Sequence, residues 1–193
     1  MRKKDIRHLK DEAERIHKGN KDYRRASNTE FITCLVIVLI TALSIRLFII
    51  SPMRVDGSSM APTLLDGERM IVEKVSYWFD GPERGDVVVC FYPNYTISCV
   101  KRVVGLPGET ISITDGQIYI NGEKLDETSY WQDYIYYDLE PVEIPAGTVF
   151  VIGDNRNDSK DSRNPSVGPI PYYRIVGRVI GVIWPLNEIK MLV

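Results

Sequence analysis

Residues 31–50 (FITCLVIVLITALSIRLFII) constrain this chain more than any other feature. Twenty such residues form a helix of about 30 Å, the thickness of a bilayer's hydrocarbon core. Arg46 is the one charged side chain in the run. It lies about one turn from the C-terminal end, where a long side chain can reach the headgroups. Ser51-Pro52 reads as the helix stop. A cleaved targeting segment would have a shorter apolar core and a much shorter basic region ahead of it. A buried core helix would gather its polar residues on one face, and these do not. The expectation is one transmembrane helix over 31–50. The Lys/Arg-rich residues 1–30, a solvated tail or short helix, stay cytoplasmic, so 51–193 lie outside.

Of the 193 residues, those beyond the apolar run suffice for one folded domain. Hydrophobic residues make up 44% and charged ones 26%, which excludes a disordered chain. A net charge of -2 gives no case for nucleic acid as a partner. Short alternating or apolar runs predict strands at 69–77, 86–91, 96–104, 110–114, 117–120, 123–125, 149–152, 174–179 and 181–184. Asp115-Gly116 and Asn121-Gly122 are strong two-residue hairpin signals. Pro93-Asn94 reads as another turn. The outer part is therefore mainly β, an antiparallel sheet domain. Residues 126–141 (DETSYWQDYIYYDLEP) have no period and crowd Trp131 with four tyrosines. They read as a surface excursion packed by its own aromatics, with the membrane interface as the alternative.

Only two histidines occur, His8 and His17, both ahead of the apolar run. A Ser-His-Asp triad in the outer domain is thereby excluded. With two cysteines and no histidine there, a zinc site is not expected. Cys90 and Cys99 flank a hairpin and read equally as a cross-strand pair or as two buried thiols.

The turn Gly57-Ser58-Ser59-Met60-Ala61-Pro62-Thr63 holds a serine in constrained backbone. Such a serine is ordinary turn chemistry unless a base stands beside it. Among the outer lysines (74, 101, 124, 160 and 190), Lys101 stands apart. It is central in TISCVKRVV, sharing a strand face with Cys99 and Val103, while Arg102 points the other way. Burial on that face would lower its pKa and make the amine a general base. An edge-strand lysine reaching for water is the other reading. The polar loop 153–163 (GDNRNDSKDSR) reads as a calcium loop, a solvated loop or a buried hydrogen-bond network. Arg156 occupies a position where calcium would want an oxygen, and the apolar strand before the loop favours the network.

These residues together resemble a type I signal peptidase, a membrane-anchored serine endopeptidase that removes signal peptides from exported proteins. The similarity runs from the apolar segment to the C-terminus in four ordered blocks: Gly57-Ser-Ser-Met-Ala-Pro-Thr-Leu64, Gly85-Asp-Val-Val-Val89, Lys101-Arg-Val-Val-Gly-Leu-Pro-Gly-Glu109, and Gly153-Asp-Asn-Arg through Asp161-Ser-Arg163. The resemblance implies Ser59 as nucleophile, Lys101 as general base and Ser159 as the hydroxyl that orients the amine. It implies the pairs Asp154–Arg102 and Asp161–Arg163, with the Ser59 backbone N–H as an oxyanion donor. Met53, Val55, Met60, Leu64, Cys99 and Val100 would line shallow slots for small side chains at positions -1 and -3 of the substrate. Some members carry a hydroxyl residue where Gly57 stands. Glycine has none to offer, which leaves Ser58 or a water as a second donor. The polar block reads Asn157-Asp158 where many members place the acid first. The short segment between the last two blocks is like that of the minimal members.

The implied activity is endoproteolysis of preproteins through an acyl-enzyme, with no cofactor and no metal. Implied partners are signal peptides and the lipid bilayer, close to the protein export channel. The implied location is a bacterial plasma membrane, single-pass. Two alternatives remain at this stage. One is a Ser/Lys peptidase serving another exported substrate, such as a pilin-like protein. The other is a silent anchored β-domain that binds exported chains.

Overall fold

A computed structural model describes residues 3–93, 96–130 and 134–192. Asn94 of the expected turn and Trp131 of the aromatic segment lie outside the described residues. The chain divides into two units, at Leu47/Phe48.

In the first unit, helix α1 (Lys3–Ser44) is continuous through the stretch read as a solvated tail or short helix. A single π-helical turn (Ile45–Ile49) follows. Within this helical run, 28–49 is long and apolar enough to cross a membrane, with mean hydropathy 2.6. Its large apolar side chains are exposed all along its length, so no protein core accounts for them. Its hydroxyls return to the helix: Thr33, Thr41 and Ser44 each donate to the carbonyl four residues back at 2.8 Å. That satisfies them without water.

The second unit is antiparallel β, as the sequence predicts. Its strands are β1 (Ile50–Arg54), β2 (Arg69–Glu73), β3 (Val87–Phe91), β4 (Ser98–Gly105), β5 (Thr110–Thr114), β6 (Gln117–Ile120), β7 (Glu123–Lys124), β8 (Leu139–Glu143), β9 (Thr148–Ile152), β10 (Ile170–Pro171), β11 (Ile175–Trp184) and β12 (Lys190–Met191). One sheet runs β1-β2-β11-β3-β4-β9-β10, with β12 on β11, and a second runs β7-β6-β5-β8.

Several elements differ from the sequence expectation. The residues read as the helix stop, Ser51-Pro52, lie inside β1, where Pro52 stands opposite Ile71. Pro is tolerated there because β1 is an edge strand, paired among the described residues only with β2. Two expected C-terminal strands are one, β11, with register shifts at 179/181 and 182/184. Residues 139–141, read as part of a surface excursion, belong to β8 beside β5. The two hairpins are as expected: Asp115, Gly116, Asn121 and Gly122 all have positive φ, which type I′ turns require.

Alternation on the strands feeds three apolar clusters. On β9, Phe150 and Ile152 pack with Ile111 and Ile113 of β5. Val149 and Val151 face the other way, against Val88 and Val103. A third cluster joins Val72, Val89 and Val179 to Met60 and Leu64 from the serine turn. Strand β4 lies between β3 and β9, deep in the larger sheet.

Gly177 lets β11 close onto β2: a Cβ there would meet the Glu73 carbonyl oxygen at 2.1 Å. Because that neighbour is backbone, Gly177→Ala should cost about 1–3 kcal/mol. Comparison of thermal midpoints with the wild type checks this.

Candidate active site

Two apolar anchors fix the serine turn. Met60 and Leu64 are buried in the core cluster on either side of the cis Ala61-Pro62 bond. Val55 N–H donates to the Glu68 carbonyl, and Gly67 N–H to that of Val55, closing the base of the loop. Gly57 has φ 95° and donates its N–H to Asp66 Oδ1 at 2.9 Å. A side chain at this position would be strained by its backbone, which suits the glycine found there.

The polar loop 153–163 grips the turn from the other side. Asn155 donates its backbone N–H to the Ser59 carbonyl at 3.0 Å and its side-chain amide to the Ser58 carbonyl at 3.2 Å. Ser58 Oγ donates to Asp158 Oδ2 at 3.1 Å. Gly153 permits the approach, since a Cβ there would come within 2.4 Å of the Ser59 carbonyl oxygen.

Across the turn stands β4. Lys101 is only 3% exposed, and its Nζ donates to Ser59 Oγ at 2.6 Å and to the Val100 carbonyl at 2.8 Å. Burial pushes the amine pKa below its ordinary value. Cys99, Asp161, Cys90 and Asp154 pull the other way, and burial prevails. Deprotonated, the same nitrogen presents a lone pair to the Ser59 hydroxyl at hydrogen-bond distance. That arrangement can abstract the hydroxyl proton.

Arg102, next along β4, faces the opposite side and forms a fork with Asp154: Nε to Oδ1 at 2.8 Å and Nη2 to Oδ2 at 2.7 Å. Its Nη1 donates to the Gly85 carbonyl at 2.8 Å. Asp161 forms a second fork with Arg163, both bonds 2.7 Å, and its Oδ2 also accepts the Gly153 N–H at 3.0 Å. Both expected ion pairs are therefore made, and both are buried.

One expected contact is not. Ser159 Oγ is buried without a hydrogen-bond partner among the described residues, and Lys101 Nζ is bonded to Ser59 and Val100 instead. The hydroxyl lies so close to Gly153 that a Cβ there would meet it at 2.2 Å. The expected slot residues are also more enclosed than shallow slots require. Val55, Met60 and Leu64 have almost no exposed surface, and Met53 and Val100 pack on the same cluster as a floor. Cys99 packs with a different cluster, opposite Cys90 in the β3–β4 register. Both are free thiols, with Cys90 pushed up to about 12 by burial. The Ser59 N–H has no acceptor among the described residues. Ser58 Oγ, considered as a second donor, is engaged by Asp158.

Sequence reasoning missed Asn155, whose amide holds the Ser59 carbonyl, and left Asp158 without a partner. It also missed Glu127 and Tyr130. Glu127 forms a fork with Arg156, and Tyr130 lies under the Arg102 guanidinium, 4.0 Å from its Cζ to the ring centroid. The available signal was a carboxylate and aromatics preceding an arginine-rich loop.

Residues 28–184 match the family described as "Signal peptidase, peptidase S26". A "Signal peptidase I" from Leptolyngbya laminosa is 39% identical over 169 residues, 83% of this chain and 81% of its own length. "Signal peptidase I T" from Bacillus subtilis is 40% identical over 181 residues, 88% of this chain and 93% of its own. A crystal structure of a signal peptidase I from Enterococcus faecalis is 32% identical, covering 51% of this chain and 97% of its own, with a TM-score of 0.42. The chain is a serine endopeptidase. It belongs to the signal peptidase family, peptidase S26, as a type I signal peptidase.

Asp154 is fully buried against Arg102. Asp154→Ala should strand that guanidinium and cost about 3–5 kcal/mol. Replacing both partners with apolar residues, as in Arg102→Met with Asp154→Leu, should recover most of the loss. Urea unfolding of the two variants checks both outcomes.

Proposed function

We propose that this protein removes N-terminal signal peptides from exported preproteins, cutting after small residues at -1 and -3, with Ser59 as nucleophile and Lys101 as general base. The observation that carries the reading is the 2.6 Å contact between Lys101 Nζ and Ser59 Oγ, with the amine buried. The two histidines of the chain, His8 and His17, both precede the apolar run, so no imidazole in the β-domain competes for the role.

In this mechanism neutral Lys101 takes the Ser59 proton as Oγ attacks the scissile carbonyl. The Ser59 N–H supports the developing oxyanion. The ammonium then protonates the leaving amine as the C–N bond breaks, freeing the mature chain. Water, deprotonated by the same amine, attacks the acyl-enzyme and releases the signal peptide. The polar network around Asp154 and Asp161 holds base and serine in register.

Two open strand edges support binding of an extended substrate. Among the described residues, strand β1 is paired only with β2. On its β9 side β4 is paired from Arg102 onward, which leaves 98–101 open on that side among the described residues. A peptide can add to such edges through backbone hydrogen bonds. Met53, Val55, Met60, Leu64 and Val100 would supply the apolar floor beneath its small side chains, and Cys99 the side wall. Residues 28–49 would anchor the chain in the bacterial plasma membrane. The basic N-terminal side would be cytoplasmic and the β-domain outside, near the export channel that delivers the substrate. Ser59 follows the apolar stretch by few residues in the sequence, as a site meant to meet a signal peptide near its own apolar helix would.

The test is cleavage of a preprotein with an A-x-A site by the purified full chain. Wild type should cut it, whereas Ser59→Ala and Lys101→Met should lose on the order of 10²- to 10⁴-fold in rate. An intact substrate with wild type, or full activity in Ser59→Ala, would overturn the reading.

The pH dependence follows from the burial of Lys101. The active form is the deprotonated amine, so kcat/KM should rise with pH. Since burial depresses the pKa, the rise should be centred below the ~10.4 of a free lysine. A limb centred at the free-lysine value would sink the proposed base.

A further inference from the structure

Three arginines of the catalytic blocks are covered by one stretch of chain. Tyr130 lies under Arg102, with Cζ 4.0 Å from the ring centroid. Glu127 takes Arg156 in a fork, Nη1 to Oε2 and Nη2 to Oε1, each 2.7 Å. Tyr137 lies 5.0 Å from Arg163 Cζ. Asn157 completes the seam: its Oδ1 accepts the Tyr136 N–H at 3.0 Å, and its Nδ2 donates to the Tyr134 carbonyl at 2.9 Å. Ile135 anchors the stretch in the core beside Ile113 and Ile118.

The loop held in this way is the one that grips the serine turn. Arg156 is the next residue after Asn155, whose N–H fixes the Ser59 carbonyl at 3.0 Å. Direct contacts therefore lead from Glu127 through Arg156 and Asn155 to the backbone of Ser59. On the other side, Tyr130 touches Arg102, the neighbour of Lys101 on β4. Both members of the dyad are thus backed by the same segment.

The chemistry of the fork is informative. The Arg156 side chain has no exposed surface and that of Glu127 has 8%. A buried pair of this kind adds little net stability over apolar residues of similar volume. What it does add is direction: a planar guanidinium in a two-bond fork fixes orientation as apolar packing does not.

We propose that residues 127–130 and 134–137 form a strap that positions Ser59 against Lys101, with Glu127 and Tyr130 as positioning residues. This rests on the Ser59–Lys101 reading of the site. The Glu127–Arg156 fork holds the Asn155 amide on the Ser59 carbonyl. Tyr130 braces Arg102, and with it the strand that carries the amine.

The test uses the full chain with Glu127→Gln, Arg156→Lys and the apolar double Glu127→Leu/Arg156→Met. Two readouts are taken: preprotein cleavage and hydrogen exchange at the Asn155 amide. In all three, kcat should fall about 10- to 100-fold, with KM within about threefold of wild type. Asn155 exchange should quicken at least tenfold, while amides of β3 and β9 keep their protection. The double variant should hold the wild-type thermal midpoint and still lose kcat. If instead the double regains wild-type kcat, the fork serves stability alone and the proposal is overturned. Should Glu127→Gln fail to fold, the double carries the same readouts. Should wild type itself fail to cleave, the dyad reading falls, and Asn155 exchange still decides the strap: unchanged protection in the variants overturns it.

Discussion

A primary amine at the centre of a β-sheet is the constraint on which the rest of this structure turns. Water stabilises an ammonium strongly, and β4 removes most of that water from Lys101. The protein offers two uncharged oxygens in exchange, the Ser59 hydroxyl and the Val100 carbonyl. Its carboxylates are kept occupied elsewhere. Asp154 and Asp161 are both in the neighbourhood, and each is saturated by an arginine fork. A free carboxylate at the amine would favour the ammonium form and deprive it of its basicity. The two forks thus have an electrostatic role besides a mechanical one.

The same demand explains the buried charge in the loop 153–163 and on β4. Arg102, Arg156 and Arg163 are each buried and each paired with a carboxylate in a fork. Two of the three are also covered by a tyrosine ring. Apolar residues could fill this space with less desolvation. They would lack the two-bond direction of a fork, and the loop's Asn155 N–H is what bonds the Ser59 carbonyl. Gly153 belongs to the same logic, because only a residue without a side chain lets the loop approach the Ser59 carbonyl.

Local signals made much of this legible in the sequence. The Asp115-Gly116 and Asn121-Gly122 hairpins have their expected limits because positive φ is a strong local demand. Alternation on TISCVKRVV was enough to separate the faces of Lys101 and Arg102. What could not be read depends on distant partners. Strand β1 contains a proline and no clear alternation, and it exists because β2 is there to pair with it. Strand β8, half-exposed and also proline-bearing, depends likewise on β5. The aromatic segment looked self-packed because its partners are arginines far along the chain, and no period encodes such contacts. Ser159 was expected at the amine from the family pattern; its hydroxyl instead lies against Gly153, with no partner among the described residues.

Strand β1 has a further consequence. A protein with an open sheet edge is exposed to other copies of itself, since an unpaired row of N–H and C=O groups will accept any extended chain. Pro52 sits within the five residues of that edge. Having no N–H, it removes one rung from any ladder formed there, and a second molecule could zip onto β1 only with a gap. A brief guest needs few rungs, whereas a lasting aggregate needs an unbroken series. The proline that obscured the strand in the sequence thereby breaks any continuous ladder built on that edge.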